Sequence, residues 1–247
     1  MRSAPHPDWI VPEWPAAKRV RSLVTTRAGG VSAGAFASLN LSARVGDDPG
    51  CVARNRAILR ACLPAEPAWM RQVHGTAVID AARATPETEA DGAVTRHPGR
   101  VCAVMTADCL PVFVSDRAGR AAGIAHAGWR GLAAGVVESV VRALEISPSQ
   151  IIAYLGPGIG ARRYEVGEEV RAAFVDRDPS ASSSFSPGRD GKYLADLYAL
   201  ASARLAAAGV TQVYGGGYCT ASGERFFSFR RDRTTGRMAS LVWLEDD

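Results

Sequence analysis

Apolar runs too short for helices alternate along this chain with segments of helical periodicity, and that alternation limits its fold more than any other feature. VRSLVTTR (20–27), VCAVMTADC (101–109), Leu110–Val114, AAGIAHAG (121–128) and IIAYLGP (151–157) have the length and β-branched content of strands. LAAGVVESVVRALEI (132–146) repeats Leu132, Val136, Val140 and Leu144 every four residues, with Val137 and Val141 beside them, and predicts the clearest helix. Further helices are predicted over 49–62, capped by Asp47 or Asp48 with Pro49 in the first turn, over 166–175, and over 196–210, where Gly209 stops it. The expectation is an α/β fold of α+β-like character: one domain over residues 1–247, a mixed β-sheet core flanked by helices.

Weaker signals fill the intervals. The first twenty residues, rich in Pro and Trp, read as a lead-in packed on the surface, and 28–50 as an extended Gly/Ser loop. Residues 67–73 and 76–82 read as two short strands in a hairpin-like corner at His74-Gly75, and 84–99 as loop with little strand. The polar stretch 176–192 is the expected mobile insertion, and 211–220 and 225–232 the last strands.

Composition excludes several classes. Apolar residues at 47% and charged residues at 22% are globular values, against collagen-like, coiled-coil or largely disordered chains. No apolar run approaches the ~18 residues of a membrane span. Prolines and an aspartate interrupt MRSAPHPDWIVPEWP where a signal peptide needs a continuous apolar stretch, so a cytoplasmic location is expected. The net charge of +4 is small and its basic residues are almost all arginine, the only lysines being Lys18 and Lys192. Without a lysine-rich tract or a stack of RNA-binding aromatics, no nucleic-acid partner is expected.

The five cysteines, Cys51, Cys62, Cys102, Cys109 and Cys219, are odd in number and form no C-x-x-C pair, so no disulfide framework is expected. The four histidines, His6, His74, His97 and His126, exclude chemistry that needs many imidazoles. Three soft or borderline donors stand at ends of predicted strands: His74 in RQVHG, Cys109 in TADCLP and His126 in AHAGWRG. Two imidazoles and a thiolate suit zinc with an open fourth position, although separations of 35 and 17 residues match no zinc-finger pattern. The competing reading is that Cys109 and His126 are core residues. Against it stand the neighbouring charged residues Asp108 and Arg130, which are costly to bury without partners. Taken alone, the residues leave both readings open.

A set of segments in order along nearly the whole chain carries a resemblance: TTRAGGVSAGAFASLNLSARVGDDP (25–49), NRAIL (55–59), RQVHG (71–75), ADG (90–92), ADCLPV (107–112), AHAGWRG (125–131), LGPGIG (155–160) and FFSFRRD (226–232). Together they resemble the family labelled "multicopper polyphenol oxidoreductase" or "laccase-domain" proteins, regarded as zinc-dependent purine nucleoside phosphorylases. One position departs from it, Gly158, where the family commonly carries cysteine. The resemblance implies that His74, Cys109 and His126 bind one zinc ion. It implies phosphorolysis of adenosine, inosine, guanosine and methylthioadenosine, with deamination of adenosine to inosine at the same site; both reactions are compatible with an open His₂Cys zinc. Purine nucleosides and phosphate are the expected partners; the oligomeric state is not read.

Other roles are expectations of residue chemistry. Arg130, at the mouth of the helix after His126, is a candidate for binding phosphate and for catalysis. Asp108 is a candidate for proton transfer or, preferably, for orienting a ligand histidine. Asn40 and Gln72 are candidates for reading base or ribose hydroxyls; Arg27, Arg230 and Arg231 lie in matching motifs without assigned atoms. GPGIG (156–160) is neither a dinucleotide fingerprint nor a Walker sequence and reads as a tight backbone passage near the site. Copper is possible in the same donor set, as a single-copper polyphenol oxidoreductase, but four histidines cannot also supply a trinuclear cluster. A metal-independent cysteine hydrolase using Cys109 and His126, and a non-enzymatic binding protein, are the remaining alternatives.

Overall fold

Alternate residues of the long strands face different layers, and that alternation organises a computed structural model of the chain, which describes residues 2–246. The elements in order are β1 (Val20–Val24), α1 (Pro49–Arg60), β2 (Pro67–Ala68), β3 (Val78–Asp80), β4 (Gly92–Thr95), β5 (Val101–Thr106), β6 (Leu110–Asp116), β7 (Ala122–Ala127), α2 (Trp129–Ala134), α3 (Val136–Ala143), β8 (Ile151–Leu155), β9 (Glu165–Val166), α4 (Glu168–Val175), β10 (Phe185–Pro187), β11 (Tyr193–Ala195), α5 (Leu197–Ala207), β12 (Gln212–Gly215), α6 (Phe229–Asp232) and β13 (Met238–Leu244). A six-stranded sheet has the order β12-β8-β6-β7-β4-β3, a four-stranded sheet the order β1-β13-β5-β2, and a small third sheet the order β10-β11-β9. The larger two are mixed: β8–β12, β3–β4 and β2–β5 pair parallel, and the remaining pairs antiparallel.

The period of two along each strand assigns its side chains to layers. In β6, Val112 and Val114 meet the valines of α3, while Phe113 points the other way into the space between the sheets. In β13, Val242 and Leu244 enter that inter-sheet core, and Ala239, Leu241 and Trp243 face Leu59 of α1. Helix, sheet, sheet and helix therefore stack in order, an α/β architecture of mixed sheets flanked by helices. Among the described residues no helix is long and apolar enough to cross a membrane.

Several segments depart from the sequence expectation. The helix expected over 132–146 is divided by Gly135, whose φ of +107° ends α2 and begins α3; glycine takes this left-handed conformation at no steric cost. The corner at His74-Gly75 is no hairpin, because β2 joins β5 in one sheet while β3 joins β4 in the other. Residues 92–95 form a fully buried strand whose small residues, Gly92 and Ala93, hid it. The polar stretch 176–192 is folded: Asp178 caps a 3-10 turn over Pro179–Ser184, and β10 pairs with β11. Ser228 caps the short α6, where the sequence read strand over 225–232. The last strand, β13, lies beyond the segments from which the sequence predicts strands. Trp9 and Ile10 of the lead-in are buried rather than superficial, and Ile10 bridges Val24. Met1 and Asp247, the ends of the expected 1–247 domain, lie outside the described residues.

Helix α3 rests directly on bare strand. A Cβ on Gly123 would stand 2.9 Å from Val94 Cγ1, 3.0 Å from the Ala93 carbonyl and 3.1 Å from Val140 Cγ1. Gly123→Ala is therefore expected to destabilise the fold by about 1–3 kcal/mol, the usual cost of overpacking, read from the midpoint of equilibrium urea unfolding.

Candidate metal centre

The residue before β4, Asp91, is fully buried, and its carboxylate positions two chain segments at once. Oδ1 accepts hydrogen bonds from His126 Nδ1 at 2.7 Å and from the His74 backbone N–H at 3.0 Å. Oδ2 accepts from the N–H groups of Gly75 at 2.7 Å and Val73 at 3.1 Å. Burial pushes this carboxyl up, but the His126 imidazole and the Gly75 and Val73 amides outweigh it and hold the pKa below the ordinary aspartate value. His74 itself sits at φ +59°, an uncommon conformation for a residue with a side chain. The converging amides of 73–75 fix it there, as the chain crosses from one sheet to the other.

Cys109 comes from the tight link between β5 and β6. Asp108, just before it, has φ +96° and a carboxylate with two short bonds: Thr220 Oγ1 donates to Oδ1 and the Arg230 N–H to Oδ2, each at 2.6 Å. Behind the link, the Ile159 N–H donates to the Asp108 carbonyl at 2.8 Å. GPGIG is thus a backbone passage supporting the Cys109 turn. A Cβ on Gly158 would lie 3.0 Å from Leu110 Cδ1, so a larger residue here would press on that turn.

His126, from β7, completes the cluster. The ligand atoms of His74, Cys109 and His126 all lie within 4.8 Å of one another, the one group of three such donors found among the described residues. Cys109 Sγ is 3.8 Å from His74 Nε2. Gly128 makes room for them: a Cβ there would come within 2.9 Å of Cys109 Sγ and 2.8 Å of His74 Cδ2. Burial alone would raise the Cys109 thiol, but His126, and then His74, bring it well below the ordinary thiol range. Burial likewise lowers His126, and the Cys109 thiolate together with Asp91 raises it above the usual imidazole value. The cluster thus favours the thiolate a metal needs.

These residues fit a divalent metal. With Nδ1 bonded to Asp91, His126 presents Nε2, the carboxylate–histidine arrangement that fixes tautomer and ring orientation in metal sites. The cluster is open on one side, since His74 is exposed, Cys109 half-buried and His126 buried. Two hollows flank it. The larger, about 380 Å³, runs past Met70, Gln72, Met105, Arg44 and Arg237. The smaller, about 240 Å³, runs past Asp108, Trp129, Arg130, Tyr164 and Arg230. His74, Cys109 and Phe229 line both.

The remaining candidates divide. Arg130 is exposed on the smaller hollow, its guanidinium 4.4 Å from the Trp129 ring. Asp108 lines the same hollow but touches neither histidine, so the orienting role expected of it falls to Asp91. Asn40 is fully buried and its amide is spent: Nδ2 donates to the Ser42 carbonyl and Asp47, and Oδ1 accepts from the N–H groups of Ser42 and Arg237. In this arrangement it pins a loop. Gln72 lines the larger hollow, but both ends of its amide close on the backbone of Met105, at 2.8 and 2.9 Å. Arg27 and Arg231 donate to backbone carbonyls, and Arg230 donates to that of Glu165. The sequence reading missed Asp91, Arg237 and Phe229, although Asp91 stands in the matching ADG segment. Asp91→Asn, which keeps the shape but removes the charge, is expected to weaken zinc binding about 10–100-fold in competition with a chromophoric chelator, the far-UV circular dichroism staying unchanged.

Residues 21–245 match the family model described as multi-copper polyphenol oxidoreductase laccase. A Pseudomonas aeruginosa protein named purine nucleoside phosphorylase is 51% identical over 240 residues, covering 96% of this chain and 99% of that protein. An Escherichia coli protein of the same name is 52% identical over 239 residues, covering 95% and 98%. The crystal structure of a Neisseria meningitidis protein superposes with a TM-score of 0.93 at 49% identity, over 97% of this chain and 100% of that one.

Proposed function

The chain belongs to the multi-copper polyphenol oxidoreductase laccase family, and from that premise we propose that it is a zinc-dependent purine nucleoside phosphorylase. The observation that carries the reading is the convergence of His74, Cys109 and His126 on one point in the wall of a two-sided cleft. The relatives' names support it. The proposed substrates are adenosine, inosine, guanosine and methylthioadenosine with inorganic phosphate, and the same site deaminates adenosine. Residues 1–247 form one such domain, acting in the cytoplasm.

Zinc held by the three donors would supply Lewis acidity. The chain's own groups do the rest. Asp91 keeps the His126 ring and the His74 backbone in place, so neither must reorganise during turnover. Arg130 has no carboxylate partner among the described residues, which leaves its planar fork of donors for phosphate in the smaller hollow. Asp108, bonded at one oxygen to Thr220 and at the other to the Arg230 N–H, acts as a positioning residue for the Cys109 turn.

A second reading rests on a specific observation: Asp91, His126 and Cys109 line up as carboxylate, imidazole and thiol, the order of a cysteine hydrolase. It gives His74 no task. The donor set also suits one copper ion, but His6 and His97 do not join the cluster, so a multicopper centre has no ligands.

Purified protein incubated with adenosine separates these readings by its products. Adenine and ribose 1-phosphate that appear only with phosphate, and inosine that forms without it, are expected. Both should vanish with a chelator and return with zinc. His74→Ala, Cys109→Ala and His126→Ala should each lose bound metal and turnover while remaining folded. Activity that survives the chelator but dies with a thiol alkylator would support the hydrolase instead, and no turnover of any nucleoside a binding protein.

A further inference from the structure

Phe229 is 48% exposed, and of the exposed large hydrophobic side chains among the described residues it is the one that lines both hollows. An exposed aromatic ring at this position leaves a flat apolar face in the cleft. Its backbone is nonetheless held. Ser228 caps the turn that begins with Phe229, and the next residue's N–H is bonded to Asp108, the neighbour of Cys109. The backbone that carries the ring is therefore fixed relative to the cluster, while about half of the residue stays accessible. The guanidinium groups of Arg233 and Arg237 each lie 6.0 Å from its centroid and give the surroundings a positive character.

The two hollows differ in what they can hold. At about 380 Å³ the larger lies inside the roughly 300–1,000 Å³ range of organic-ligand sites, and Val45, Met70 and Met105 give it apolar walls. The smaller, at about 240 Å³, lies below that range and carries Arg130, which suits a compact anion. A flat heteroaromatic ring with polar edges fits the first, and phosphate the second.

On the nucleoside reading above, we propose that Phe229 is the base-stacking residue: the purine lies against its exposed ring in the larger hollow, and phosphate approaches the sugar carbon from the smaller one. Stacking uses the π-face, which every purine has, so Phe229 sets the preference for a planar base without choosing among bases.

Steady-state kinetics of the zinc-loaded protein test this. Phe229→Ala should raise KM for adenosine, inosine and guanosine alike, by about 10-fold given typical base–aromatic stacking. KM for phosphate and the zinc content should stay unchanged. Phe229→Tyr or Phe229→Trp should restore the nucleoside KM, and Phe229→Leu, apolar but not planar, should not. An unchanged nucleoside KM in Phe229→Ala, or full restoration by leucine, overturns the proposal while leaving the phosphorylase reading intact. A wild-type protein that neither binds nor turns over adenosine overturns both.

Discussion

The Asp91 carboxylate sits beneath two of the three donors, and the geometry of the centre depends on it. A fully buried charge is costly unless its lone pairs are filled, and here four donors fill them: one imidazole N–H and three backbone amides. The same bonds fix the ring of His126 and hold residues 73–75 in the conformation that points His74 inward. Without the carboxylate, the amides of the sheet-to-sheet crossing lose their common acceptor. Fold and site are thus joined at one residue, because Asp91 also precedes the strand β4 that pairs with β7, which carries His126.

The layered architecture explains why donors so distant in sequence meet. His74 lies where the chain passes from the four-stranded to the six-stranded sheet, Cys109 on the link between β5 and β6, which lie in those two sheets, and His126 near the end of β7. His74 and Cys109 stand where the chain passes between the sheets and strand regularity stops, and His126 stands one residue before the end of its strand. Two positive-φ residues with side chains, His74 and Asp108, occur there and are held by surrounding hydrogen bonds. Gly128 then leaves the space that the sulfur and the imidazole occupy.

The legible parts of this design were those written in side-chain period or in ligand chemistry. The long apolar strands, α1 with its aspartate cap, α5 and the donor trio follow from such patterns. The split at Gly135 did not, since the valine repeat continues across it and only the positive φ reveals the break. β4 is hidden by its small residues. Asn40 and Gln72 suit substrate reading by their amide chemistry; only the structure shows the Asn40 amide filled by Ser42, Asp47 and Arg237, and that of Gln72 bonded at each end to Met105. Asp108 was given the task that Asp91 performs, because adjacency to Cys109 in sequence says nothing of which carboxylate reaches a histidine across a sheet. In a chain this rich in arginine, no pattern set Arg237 apart from the others.

The central claim is that this trio grips one divalent ion through the sulfur and both imidazoles. X-ray absorption at the zinc edge, on protein reconstituted with zinc, tests it most directly. The expected result is one zinc per chain with one sulfur neighbour at about 2.3 Å and imidazole nitrogens at about 2.0–2.1 Å. Zinc well below one per chain, or a shell without sulfur, would contradict it.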